Sequence, residues 1–176
     1  MIRITHLAGG VLVSAAYIDL ANIPYDKTLP FYFFAGLAGS VLPDIDLIMG
    51  RRTDTSVMLK HRGITHTFLF VVLCIIGIKL AELYSGGGFL VSPGMIFVFV
   101  LCVLSHFALD TLNYEGILLL WPLSGRRFAL RLIKAGSFAE FVLVLLPLSI
   151  LAALLIYKLN FFGGLHGLRF MEIRRF

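Results

Sequence analysis

The run 93–115, PGMIFVFVLCVLSHFALDTLNYE, decides how the rest of this chain is read. It is long and apolar enough to cross a bilayer, which takes about 20 predominantly apolar residues. Yet it carries His106 and Asp110 inside it. The two stand at i, i+4, so on a helix they project from one face, one above the other. A charged side chain at membrane depth costs roughly 2.5–3.5 kcal/mol on insertion scales. The pair therefore calls for a compensating partner, and the question becomes where else the chain supplies one.

Four further apolar runs flank this one, at 6–21, 29–49, 66–84 and 138–160. With 59% hydrophobic residues, 14% charged and a mean hydropathy of +0.95, the 176-residue chain is too apolar for a soluble globular domain. The expectation is a single integral-membrane domain, 1–176, all-α. It is a polytopic helical bundle of about five transmembrane helices. The first run imitates a signal peptide, with Arg3, an apolar stretch and small residues at Ser14-Ala15-Ala16. His6 interrupts that pattern, so no cleavage is expected. Cys74 and Cys102 lie inside runs without ligand spacing and read as small buried apolar residues.

The formal net charge of +5 reflects topology and not nucleic acid, for which nothing else in the chain speaks. Alternating spans place Arg3, Arg51, Arg52, Lys60, Arg62, Arg126, Arg127, Arg131 and Lys134 on the side of the N-terminus. Lys27, Lys79, Lys158, Arg169, Arg174 and Arg175 fall on the other. The larger group favours a cytoplasmic N-terminus by the positive-inside rule. Between the fourth and fifth runs, 117–122 is too short to span and sets Trp121 at an interface. Arg127, Arg131 and Lys134 then follow i, i+4, i+7 with Phe128, Leu132 and Ala135 beside them. This spacing predicts an interfacial amphipathic helix over 126–137.

The alternation has a second consequence. His6 opens the first run, Asp44 and Asp46 close the second, His61 and His66 precede or open the third, and His106 and Asp110 lie late in the fourth. Odd spans begin, and even spans end, on one membrane face. All four polar blocks converge there. Singly, each has a bland explanation: a hydrogen-bonded bundle histidine, a solvated helix end after Pro43, a basic loop. Their coincidence on one face is harder to explain that way.

Four imidazoles and three carboxylates exceed a shell of three protein ligands plus water. The expected ligands are His6, Asp44, Asp46, His61, His66, His106 and Asp110, sharing two divalent ions. Zinc is the first expectation, and manganese or iron also suits a mixed nitrogen and oxygen set. Such a pair lowers the pKa of bound water and clamps the oxygens of a phosphoryl displacement. Arg62, Arg126 and Arg127 supply planar forks for phosphate oxygens, and Arg62 also counts among the catalytic candidates. Glu140 stays open between two roles. Residues 137–140 fit the S-x-x-E capping box, but Glu140 also falls on the face of the blocks, as a ligand or general acid/base. His166, in the glycine-rich tail, reads as non-functional.

These blocks resemble the YdjM-type bacterial and archaeal inner-membrane proteins, described as LexA-regulated metal-dependent hydrolases by motif. The resemblance covers nearly the whole chain. It rests on Thr5-His6, Pro43-Asp44-Ile45-Asp46, His61-Arg62-Gly63-Ile64-Thr65-His66 and Ser105-His106 through Asp110, extended by Leu120-Trp121-Pro122 and Glu140. Asn113 departs from it, standing where the pattern has threonine. What the resemblance implies is a metal-dependent enzyme of the inner membrane, with the substrate left to the site itself.

The resulting expectation is a membrane-embedded hydrolase, acting at the cytoplasmic interface on a lipid or lipid-linked phosphoester, with membrane lipids as its surroundings. Two other classes compete. A divalent-metal transporter needs polar groups through the midplane and toward the second face, where these runs are almost wholly apolar. A metal-stabilised scaffold needs only a closed, waterless ligand cluster.

Overall fold

Each apolar run folds as a helix in the computed structural model, which describes residues 1–46, 62–86 and 91–173, with side chains up to Leu159. In chain order the helices are α1, Arg3–Leu20; α2, Leu29–Val41; α3, Phe68–Tyr84; α4, Pro93–Thr111; and α5. The last comprises an opening turn, Phe138–Glu140, a π-helical stretch, Phe141–Leu145, and an α-helix, Leu146–Ile173. Among the described residues there are no strands. Pro93–Thr111 and Phe138–Leu159 are long and apolar enough to cross a membrane, and Leu29–Ile45 is a shorter apolar helix.

Local sequence explains the helix starts. The Thr67 hydroxyl accepts from the Phe70 amide at 3.1 Å and the Ser92 hydroxyl from that of Met95 at 3.2 Å, with Pro93 in the first turn of α4. The π-helical widening in α5 lies just before Pro147, whose ring and missing N–H disrupt ordinary helical bonding one turn upstream. The helix then passes Gly163-Gly164, because a glycine costs it only about 1 kcal/mol.

The bundle is α1, α2, α4 and α5, with α1 against the other three and α2 against α4. Small residues draw these axes together. A Cβ on Gly36 would lie 1.9 Å from Ser14 Oγ, and one on Gly39 would lie 2.4 Å from the Phe99 carbonyl oxygen. Close approach of this kind is how membrane helices associate where lipid removes the hydrophobic drive. Two apolar clusters complete the core, one around Ala15, Ile18, Tyr32, Val98 and Cys102, the other around Val71, Phe99, Val103, Phe107 and Ile117. On α3, by contrast, Val71 alone is buried.

The interfacial helix expected over 126–137 does not form. This segment is extended and runs beside 111–117: Ile117 and Phe128 exchange both backbone bonds, and Leu130, Leu132 and Ile133 donate to the carbonyls of Thr111 and Leu112. Arg131 and Gly136 adopt positive φ, 56° and 73°, which no α-helix tolerates. A helix this short is marginal alone, whereas the neighbouring chain satisfies its backbone groups.

Candidate metal centre

Four separate elements deliver five side chains to one buried cluster. His6 comes from the first turns of α1, and Asp44 from a 3-10 turn, Leu42–Ile45, that ends α2. His66 comes from a second 3-10 turn, Ile64–His66, before α3, and His106 and Asp110 from α4. Pro43 and the tighter turn explain why Asp44 and Asp46, two apart, both turn inward. None of the five is more than 5% exposed.

The two central imidazoles are held by their Nδ1 atoms. His106 Nδ1 lies 2.7 Å from the Ser40 carbonyl oxygen, which can only accept, so Nδ1 carries the proton. On His66, Nδ1 lies 3.0 Å from Thr65 Oγ1 and 3.3 Å from Asp46 Oδ2. The Thr65 hydroxyl gives its proton to Asp46 at 2.9 Å, so it accepts from His66. Both Nε2 atoms therefore turn toward the cluster, 3.1 Å apart. Two imidazole lone pairs at that distance repel unless a cation lies between them.

The surrounding distances are those between ligands of one ion. His66 Nε2 is 3.8 Å from Asp44 Oδ1 and 3.4 Å from Asp110 Oδ2; His106 Nε2 is 3.6 and 3.8 Å from the same atoms. In a tetrahedral site with bonds of about 2.0–2.1 Å, ligand atoms stand roughly 3.3 Å apart. Two overlapping sets, His6, Asp44 and His106, and His66, His106 and Asp110, have donor atoms close enough to hold a metal ion. His6 stacks on His106 with ring centroids 3.7 Å apart. Neither of its nitrogens makes a hydrogen bond among the described residues, although Nε2 is 3.3 Å from Asp110 Oδ1. Buried imidazole nitrogens without a partner are costly, and a metal would use one of them. The residues present fit a divalent ion.

Not every expected residue joins the cluster. Asp46 sits behind His66, on its Nδ1 side, and accepts from the Arg62 amide at 2.8 Å as well as from Thr65. Arg62 is buried and grips Asp110, with Nε 3.0 Å from Oδ2 and NH2 donating to Oδ1 at 3.2 Å, while NH1 donates to Glu115 at 3.1 Å. The Met1 amino nitrogen also donates to Asp110. Glu140 is fully buried and stands apart. Its carboxylate accepts from the Ile2 amide (2.8 Å), the Thr5 hydroxyl (2.7 Å) and the Gly136 amide (2.7 Å), while Ser137 Oγ caps its own amide. Arg126 and Arg127 are exposed on the extended segment, the latter donating to the Gly116 carbonyl. His61 lies outside the described residues, and so do the side-chain surroundings of His166. The sequence did not point to Glu115 or the Ser40 carbonyl. Glu115 had a signal, an acidic residue closing the run of Asp110; a backbone carbonyl has none.

The chain belongs to the YdjM inner membrane protein family, whose model matches residues 1–166. A protein of Bacillus subtilis (strain 168), described as uncharacterized protein YfhP, is 31% identical over 141 residues, which are 79% of this chain. That match spans 39% of the relative's own length. No solved structure matches.

Proposed function

We propose that this chain is a membrane-embedded, metal-dependent hydrolase acting on a phosphoester-bearing lipid or lipid-linked substrate. The five helices are its spans, and the N-terminus and the metal centre face the cytoplasm. One observation carries the reading: the Nε2 atoms of His66 and His106, fixed by Nδ1 partners and ringed by carboxylates, converge on one point inside an apolar bundle. Structural polar networks pair donors with acceptors; this one sets acceptor against acceptor.

In this reading His66, His106, Asp44 and Asp110 hold zinc, and His6 completes the set. A bound zinc ion lowers the pKa of water and polarises a phosphoryl oxygen. Asp46 and the Ser40 carbonyl fix the imidazoles in the ligating tautomer. A second ion, expected from the ligand count, would draw on His61. Arg62 is a positioning residue that aims Asp110, with N–H groups to spare for a phosphate oxygen. Arg126 and Arg127 take the headgroup from the exposed segment. Glu140, its carboxylate engaged by three donors, anchors the start of α1 and so sets the position of His6.

The test combines elemental analysis of detergent-purified protein with turnover of phosphatidic acid, phospholipids, prenyl pyrophosphates and generic phosphodiesters, with and without chelator. Chelator-sensitive hydrolysis of one class by protein holding stoichiometric zinc is the expected result. Zinc without hydrolysis of any class would favour the scaffold, and zinc accumulation in proteoliposomes the transporter.

A further inference from the structure

A groove of about 290 Å³ lies at the end of α2, lined by Ala38, Val41, Leu42, Asp44, Ile45 and Arg3. Four of these are apolar, one is a residue of the metal centre, and one is a cation. Val41 and Ile45 are each 39% exposed, and Phe31 and Phe34 continue the exposed apolar face along α2. On a membrane helix such a face meets hydrocarbon, so a groove cut into it is open to a lipid chain. The volume is at the lower end of ligand pockets, roughly 300–1,000 Å³, and suits part of a molecule whose remainder stays in the bilayer. Arg3, in the first turn of α1, is exposed and forms no ion pair among the described residues. A guanidinium at that depth suits a phosphate oxygen. Asp44 belongs to both the groove and the ligand cluster, so a headgroup beside Arg3 adjoins the metal centre.

The geometry points to this groove as the seat of one chain of a phosphate-bearing lipid, with Arg3 holding the phosphate next to Asp44. That the held phosphate is also the one cleaved rests on the hydrolase reading; the binding does not. An apolar wall continuous with the bilayer selects the chain, and the Arg3 cation at its rim selects an anionic headgroup over a neutral one.

The test reads binding without turnover. The full chain in nanodiscs is irradiated with phosphatidic acid carrying a diazirine on one acyl chain, and in parallel with diacylglycerol bearing the same chain. Adducts are mapped by peptide mass spectrometry. Val41, Leu42 and Ile45 should be labelled severalfold more by the phosphatidic acid. Arg3→Gln should remove that preference, Ala38→Leu should lower labelling by both lipids, and an unchanged melting temperature in each variant is the check on folding. Adducts spread evenly over α3 and α5, or equal labelling by the two lipids, would overturn the assignment. A failed hydrolysis assay leaves this result standing. Hydrolysis without groove labelling would sink the groove and spare the hydrolase.

Discussion

Replacing Asp110 by asparagine isolates what holds the cluster together. Arg62 is 2% exposed, and its guanidinium reaches two carboxylates: Asp110, fully buried, and Glu115, whose side chain is 69% exposed. Removing one partner of a buried pair leaves the other charge stranded, at about 3–5 kcal/mol. An exposed pair contributes about 0–1 kcal/mol. A chain of this size shifts its melting temperature by roughly 2–4 °C per kcal/mol. Asp110→Asn should thus melt roughly 6–20 °C below the parent in chelator, and Glu115→Gln no more than about 4 °C below. The double variant Arg62→Met with Asp110→Asn should lose less than the two single losses combined, because no guanidinium is left stranded without Asp110. Differential scanning fluorimetry in a fixed detergent reads the parent, the three single variants and the double. Equal losses for Asp110→Asn and Glu115→Gln, or strict additivity in the cycle, would refute the claim that burial sets the magnitude. Adding zinc supplies a second arm. At 100 times its Kd a ligand stabilises by about 2.7 kcal/mol, so the parent should gain and Asp110→Asn should gain much less. A parent indifferent to zinc would remove the metal reading while leaving the ion-pair argument intact.

Three further outcomes follow from the same geometry. Asp46→Asn, which weakens the acceptor behind His66 Nδ1, should lower zinc affinity by about 10–100-fold in a competition titration; an unchanged affinity would mean that Asp46 does not orient the ring. Gly39→Ala puts a methyl 2.4 Å from the Phe99 carbonyl oxygen and should cost about 1–3 kcal/mol, whereas Gly77→Ala, with nothing within 4 Å, should be neutral or stabilising; the opposite order would discredit the close packing of α2 on α4. Sidedness is checked in a chain without native cysteines: Ser85→Cys should react with an impermeant maleimide in intact cells and Arg52→Cys should not, and the reverse pattern would invert the orientation.

The helices were legible because each buries or exposes an uninterrupted apolar run, and runs of that length have few other uses. The convergence of His6, Asp44, His66, His106 and Asp110 was legible for a topological reason: alternation alone sends odd starts and even ends to one face. The division of labour between Asp44 and Asp46 was not. Residue type gives both the same chemistry, and only the 3-10 turn decides that one carboxylate faces Nε2 atoms and the other an Nδ1. Nor was the extended strap at 126–134. Arg127, Arg131 and Lys134 fit a helical period, but Phe128, Leu130 and Leu132 alternate with a period of two in the same stretch. The deciding factor lies elsewhere, in the backbone groups of 111–117 that pair with it.

Packing and chemistry in this bundle are one device. His6 reaches His106 at a stacking distance of 3.7 Å only if α1 and α4 come close. Beside that contact α1 carries Gly9 and Gly10, where a Cβ would lie 3.0 Å from a methyl of Leu109 and 2.6 Å from Ser40. Ser40 is also the residue whose carbonyl sets the tautomer of His106. A side chain at Gly10 would push α1 away from α2 at the level of the centre, moving His6 and the carbonyl that aims His106 at once. The small residues near the cluster therefore bear on ligand geometry as well as on helix association. Gly36, one turn before Ser40 and pressed against Ser14, bears on association alone.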